Sequence, residues 1–263
     1  MSAAGSTPAP GAAKPLICLS GVEKAFAGRP VLRGVDLDVL PGETMVILGG
    51  SGSGKSVTLR HIVGLLKPDR GVVRVDGEPV QDLDEDELIP VRRKVGFLFQ
   101  GGALFDSMDV FDNIAFPLRE AGWDEERIAA RVPEVLRLVD LEPDVARQMP
   151  DALSGGMRKR VALARAIAVN PQAILYDEPT TGLDPVTSTT INELIRSMQR
   201  RLGVTSVVVT HDIDSAFKVG DRIAFLCGGR IAFLGTVAEA RTTTDARLRA
   251  FLEGRPHEEF GTC

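Results

Sequence analysis

Cysteine is scarce in this chain: Cys18, Cys227 and Cys263 are odd in number and far apart. That spacing offers neither a disulfide framework nor paired zinc ligands, and it fits a reducing compartment. No uncharged apolar run approaches the roughly 18 residues that a membrane span needs, and the N-terminus lacks the basic-then-apolar order of a signal peptide. The expectation is a chain that neither crosses a membrane nor is secreted. A cationic surplus is missing too. With 31 Lys and Arg against 36 Asp and Glu, the net charge of −5 creates no global field for a polyanion, so nucleic acid is not an expected partner. Any anion site has to be local. Internal repeats and a sustained heptad pattern are also absent, which argues against long coiled-coil insertions.

What is present is 263 residues, 44% hydrophobic and 25% charged, enough for one large domain or one domain with a subdomain. Residues 1–15 are rich in Ala, Gly, Pro, Ser and Thr with a single charge, a composition that predicts a disordered tail. Short β-prone runs follow at 16–22, 31–39 and 43–48, with Pro41-Gly42 as a turn. A Gly-rich loop and a helical pattern come next, then strands at 72–75 and 95–99 separated by an acidic helix start at 82–87. Residues 110–141 have helical character, with Pro133 expected to break or restart the helix, and mark a candidate helical subdomain at about 101–165. Strand, helix and strand then alternate at 173–176, 191–202 and 205–209, and Gly228-Gly229 closes a hairpin between 223–226 and 231–234. The fold class is therefore α/β. A mostly parallel sheet carries helices on both faces, with an antiparallel β subdomain and an inserted helical subdomain.

The chemistry concentrates at three places. Gly49-Gly50-Ser51-Gly52-Ser53-Gly54-Lys55-Ser56 matches the G-x-x-x-x-G-K-[ST] phosphate loop and falls between a strand and a helix, as its mechanism requires. Its glycines let backbone NH groups approach phosphate oxygens, the helix start adds positive potential, Lys55 reaches the β- and γ-phosphates, and Ser56 can hold magnesium. The apolar run 173–176 ends in Asp177-Glu178, which puts two carboxylates at the ligand-binding edge of a buried strand. Asp177 is the expected magnesium-side carboxylate, and Glu178 the group that polarises the attacking water. At the third place, Ser154-Gly155-Gly156 opens a second Gly-containing helix start suited to an anion, followed by Arg158-Lys159-Arg160, a run expected to be a solvated face.

This ordered set, with Gln100 after a strand, Leu183-Asp184 and His211, resembles the nucleotide-binding subunit of ATP-binding cassette (ABC) transporters from Leu16 to about Leu252. The resemblance implies a P-loop NTPase of RecA-like core, an ATPase domain over 16–252 with a tail at 253–263, and ATP with Mg2+ as its ligands. It also implies a head-to-tail homodimer in which Ser154-Gly155-Gly156 of one chain completes the other chain's ATP site, with Asp184 at the seam. Carried over by position, Phe26 stacks on adenine, Gln100 joins magnesium and the attacking water to the membrane partner, and His211 senses the γ-phosphate. The Gln usual after the signature glycines is Met157, so that polar contact is absent or replaced.

Within the superfamily, the segments 99–106, 110–120 and 153–160 look like the Mla/Mce-type phospholipid-transport ATPases. That likeness implies a peripheral subunit on the cytoplasmic face of a bacterial inner membrane. Its partners there are an integral permease, an MCE-domain lipid carrier and often a small STAS-domain subunit. The run from Leu104 to Phe116 is more apolar than a surface loop needs, and suits a groove for a partner helix. A motor for an amino acid or lipoprotein cargo uses the same chemistry. A nucleotide-gated clamp on DNA or the ribosome would want two cassettes or coiled-coil insertions and a basic surface. A P-loop small-molecule kinase leaves Ser154-Gly155-Gly156 and His211 without a role.

Overall fold

The computed structural model describes residues 14–255. Most of the expected N-terminal tail and the end of the C-terminal one lie outside the described residues. The strands are β1 (Ile17–Phe26), β2 (Arg29–Val39), β3 (Thr44–Leu48), β4 (Arg70–Val75), β5 (Glu78–Pro79), β6 (Val95–Leu98), β7 (Ala173–Asp177), β8 (Thr205–Thr210), β9 (Arg222–Cys227) and β10 (Arg230–Thr236). The helices are α1 (Lys55–Ile62), α2 (Glu85–Lys94), α3 (Val110–Glu120), α4 (Glu125–Leu138), α5 (Gly155–Ile167), α6 (Pro185–Leu202), α7 (Ile213–Val219), α8 (Val237–Arg241) and α9 (Ala246–Leu252).

Two sheets result. One is antiparallel, in the order β2-β1-β4-β5. The other runs β10-β9-β3-β8-β7-β6 and is parallel from β9 to β6, with β10 antiparallel on its edge. β3, β7 and β8 are buried along their whole length; β3 and β7 are accordingly runs of mostly apolar residues, while β8 sets Val207 to Val209 between buried Thr and Ser residues. Their alternate side chains build two separate cores. Met45, Ile47, Leu175, Val207 and Val209 pack toward the antiparallel sheet and α1, while Val46, Leu48, Ile174, Tyr176 and Val208 pack toward α3 to α6. The second core also takes in Ile114, Ile128, Val132, Val135 and Leu136, so the helices of the candidate subdomain share one interior with the sheet.

Two expectations are corrected. Pro133 does not break its helix: α4 runs through it. The carbonyl that Pro133 leaves without a donor, that of Ala129, is on the solvent side, where water can satisfy it, while Ile128, Val132, Val135 and Leu136 anchor the buried face on either side. The helical stretch is divided instead at Gly122, which has φ +78°, followed by Asp124, whose carboxylate accepts the Arg127 NH at 2.8 Å and starts α4. The cysteines also depart from expectation: Cys18 is a free thiol, but Cys227 is disulfide-bonded.

The distal half of the loop from β6 to α3 is pinned by the Asn113 side chain. Asn113 is fully buried; its Oδ1 accepts from the Phe105 NH at 2.8 Å, and its Nδ2 donates to the carbonyls of Phe105, Met108 and Asp109 at 3.1, 3.0 and 3.0 Å. An amide is the side chain that can both donate and accept there. Asn113→Ala strands those main-chain groups and is expected to lower stability by about 2–3 kcal/mol, read as a shift in the urea midpoint at constant m-value.

Candidate active site

Strand register assembles the site. Leu48 is level with Thr210 across the β3–β8 pair, Asp177 with Val209 across β7–β8, and Leu98 with Tyr176 across β6–β7. Gly49, Glu178, His211 and Gln100 therefore all leave the parallel sheet at one carboxyl edge, the place where open α/β sheets take ligands.

The phosphate loop closes tightly onto β9. A Cβ on Gly49 would stand 2.5 Å from the Leu226 carbonyl oxygen, so no larger residue fits. Gly54 reaches φ +105° as the loop enters α1. Inside the loop, Lys55 donates to the carbonyls of Gly49 and Gly50 at 2.9 and 2.8 Å and lies 3.5 Å from Glu178 Oε1. Ser53 Oγ is buried without a partner. Ser56 Oγ donates to Asp177 Oδ1 at 2.7 Å. Burial raises the Asp177 carboxyl above its ordinary range, and the Ser56 hydroxyl partly offsets that.

Glu178 is held from several sides. Its NH donates to the Val209 carbonyl at 3.0 Å, and its φ of +49° is left-handed, uncommon for a residue with a side chain. Its Oε2 meets His211 Nδ1 at 2.9 Å and accepts from Thr181 Oγ1 at 3.1 Å. The structure thus brings Lys55, Ser56, Asp177, Glu178 and His211 together. Gln100 lies at the same edge with an exposed side chain, its carbonyl accepting from Lys159. Phe26 ends β1 with 41% of its surface exposed, so it is free to stack rather than part of the core. The hairpin that carries it abuts the loop, with Leu32 and Val31 lying beside Gly54.

Ser154, Gly155 and Gly156 are elsewhere. Ser154 Oγ accepts from the Met157 NH at 3.2 Å, and among the described residues no hydrogen bond joins these three to the phosphate loop. Their neighbours are Leu183 and Thr187 at the start of α6. Asp184 accepts from Val186 NH and Thr187 NH, both at 3.0 Å, and from Thr187 Oγ1 at 2.5 Å; the Thr187 hydroxyl leads in holding its carboxyl below the ordinary range. Lys159 was expected on a solvated face and is buried. The signal was present: Lys159 falls on the helical line of Ala162, Leu163 and Ala166, the inward side of α5.

The residues fit a bound nucleotide phosphate. A buried hydroxyl without a partner and an ammonium whose hydrogen bonds go to loop carbonyls are both available to anionic oxygens. Among the described residues no group of three or more His, Cys, Asp or Glu forms a metal site. Of the three residues expected to hold magnesium, Ser56 and Asp177 are hydrogen-bonded to each other and Gln100 lies at the same edge, an oxygen-donor set that fits this ion.

The sequence model of the family described as "ABC transporter" matches residues 32–181. A probable ribonucleotide transport ATP-binding protein of Mycobacterium leprae is 41% identical over 238 residues, covering 90% of this chain and 68% of that one. A methionine import ATP-binding protein of Rhodococcus jostii is 44% identical over 227 residues, covering 85% of this chain and 66% of its own length. The chain thus spans about two thirds of the length of these curated relatives. Among solved structures, the dimeric ATP-binding cassette MJ0796 in a post-hydrolysis state bound to ADP and Pi is 38% identical with a TM-score of 0.78, covering 84% of this chain and 98% of that one. The cbiO1 protein of Clostridium perfringens, part of the ABC transporter complex cbiONQ, is 29% identical with a TM-score of 0.80, covering 91% of this chain and 95% of that one. Among the described residues no helix is long and apolar enough to cross a membrane. The chain belongs to the ABC transporter family, as an ATP-hydrolysing cassette that uses ATP with Mg2+.

Proposed function

We propose that this cassette is the motor of a phospholipid transporter of the Mla/Mce type, working as a head-to-tail homodimer on the cytoplasmic face of the inner membrane. The observation that carries the motor reading is the single cluster of Lys55, Ser56, Asp177, Glu178 and His211 at one sheet edge. Lys55 exchanges its loop carbonyls for the β- and γ-phosphate oxygens. Asp177, Ser56 and Gln100 would hold a magnesium ion, which would supply neutralising charge on those oxygens when bound. Glu178 accepts a hydrogen bond from the attacking water and aims it at the γ-phosphate. His211, hydrogen-bonded to Glu178 Oε2, fixes that carboxylate and is placed to meet the γ-phosphate. Phe26 offers its face to adenine, and Gln100 extends from the same edge toward the transferred group.

The phospholipid cargo rests on the likeness of segments 99–106, 110–120 and 153–160 to the Mla/Mce ATPases. It brings an integral permease, an MCE-domain lipid carrier and a small STAS-domain subunit as partners. A second reading is favoured by the relatives, whose names give ribonucleotide transport and methionine import. Mass spectrometry of the membrane complex captured with this subunit separates the two: an MCE-domain protein supports the first, and an importer permease without one supports the second.

The groove for the permease is narrower in composition than the sequence suggested. Val110 and Ile114 are buried, and Leu104 and Phe111 are half-buried against the core; Phe105 and Phe116 remain 41% and 38% exposed. These two rings, 5.0 Å apart between centroids, help line a cavity of about 410 Å³ with Phe97, Phe99, Pro117 and Val169. An apolar wall of this kind suits a short amphipathic helix.

Glu178→Gln is expected to retain ATP binding while phosphate release falls about a hundredfold or more, whereas Lys55→Ala already fails at binding; wild-type turnover in the glutamine variant removes Glu178 from its role. Mixing a Ser154→Arg chain with a Lys55→Ala chain gathers both defects at one site and leaves the opposite site intact. Partial ATPase activity on mixing two inactive variants is the expected result, and its absence in verified heterodimers counts against the sandwich. Phe105→Glu is expected to leave the thermal midpoint and basal ATP turnover unchanged while abolishing co-purification with the permease; retained co-purification moves the docking site elsewhere.

A further inference from the structure

Lys159 is 5% exposed and forms no ion pair among the described residues. Its ammonium donates to the main-chain carbonyl of Gln100 and lies 3.5 Å from that of Glu178, the outer limit of a hydrogen bond. Burying a cation is costly unless something compensates, and an apolar residue would fill the same inward position on α5. Desolvation pushes its pKa below the ordinary lysine range, and the nearby Asp177 and Glu178 carboxylates oppose that shift. The cation thus stands under the active site, touching the backbone of two residues assigned to the chemistry and no side chain of either.

Glu178 makes that contact consequential. Its left-handed backbone is one that residues with a Cβ hold only when surroundings over-determine it. The Val209 carbonyl fixes its NH. Its carbonyl accepts from the Thr181 NH at 3.3 Å within its own turn, and Lys159 is the side chain that reaches the same oxygen from α5. With both ends of the residue fixed, the carboxylate points at His211 and Lys55. The same helix carries a second cation, Arg165, whose Nη2 donates to the Gly102 carbonyl at 3.0 Å and whose guanidinium is 5.5 Å from the centre of the Phe105 ring. Helix α5 therefore grips the Gln100–Gly102 loop twice, once beneath the catalytic edge and once beside the groove.

We propose that Lys159 is a positioning residue: by holding the main-chain carbonyls of Gln100 and Glu178 together, it sets the aim of the Glu178 carboxylate and ties that aim to the loop bordering the apolar groove. This rests on the reading of Glu178 as the residue that orients water. No proton or bond changes hands at Lys159; its effect is geometric.

The test uses the full chain as wild type, Lys159→Met and Lys159→Arg, with steady-state phosphate release, equilibrium binding of a fluorescent ATP analogue and thermal melting. Lys159→Met is expected to lose about tenfold or more in kcat, with KM, analogue affinity and melting temperature near wild type, because aim rather than binding is lost. Lys159→Arg is expected to recover most of the loss, since a guanidinium can reach both carbonyls. A folded Lys159→Met with wild-type kcat overturns the proposal, as does a kcat loss matched by lost analogue binding. Should Lys159→Met fail to fold, Lys159→Gln, which keeps one donor, is read by the same criteria, and unfolding of both assigns Lys159 to stability alone. Wild-type turnover that survives in Glu178→Gln overturns the reading of Glu178 itself, an outcome distinct from an active wild type with an indifferent Lys159→Met.

Discussion

The catalytic edge depends on the register of one central strand. β8 lies between β3 and β7, and its pairing sets Leu48, Asp177 and Val209–Thr210 at one level. A slip of one residue along β8 would exchange its two faces, moving Val207 and Val209 into the core that now holds Val208. Because both sides of the sheet are packed, that slip is opposed along the whole strand rather than at the site. The positions of the phosphate loop, the acidic pair and His211 are in this sense by-products of hydrophobic packing, and the site needs few contacts of its own to stay assembled.

What the site does add is a set of polar anchors that are all local to the edge. Ser56 meets Asp177, His211 and Thr181 meet Glu178, and Lys55 folds back on its own loop. The parts expected to act on a second chain's nucleotide, Ser154 to Gly156, are instead built onto the start of α6. The fold therefore holds the phosphate loop and the helix start at 154–156 apart. The head-to-tail pairing proposed above is an arrangement that would give both of them work.

Legibility in the sequence follows the range of the interaction concerned. The phosphate loop, the acidic pair and the hairpin at Gly228-Gly229 are written in contiguous residues whose backbone demands are local, and they were readable as such. The strands were readable too, but β1 extends four residues beyond the apolar run, to Phe26, because pairing with β2 carries its polar end. The position of the helix break was not readable, since Pro133 announces a break that packing around Val132 overrides while Gly122 makes the real one. Lys159 departs from its expected solvated face for a related reason. Charge in a run of three cations suggested solvent, whereas the period of α5 placed the middle one inward, against carbonyls that arrive from residues far away in the chain.

The contact between Gly156 and Thr187 ties two distant positions into one sequence rule. A Cβ at 156 would come within 2.6 Å of Thr187 Cγ2, the methyl of the side chain whose hydroxyl closes on Asp184. Position 156 is therefore not free to gain even a methyl while 187 keeps its own. The two can only trade: serine at 187 would give up the methyl and keep the hydroxyl, and alanine at 156 would then have room. The second glycine of the signature is thus half of a volume-sharing pair, and what it permits is decided by a residue 31 places further along the chain.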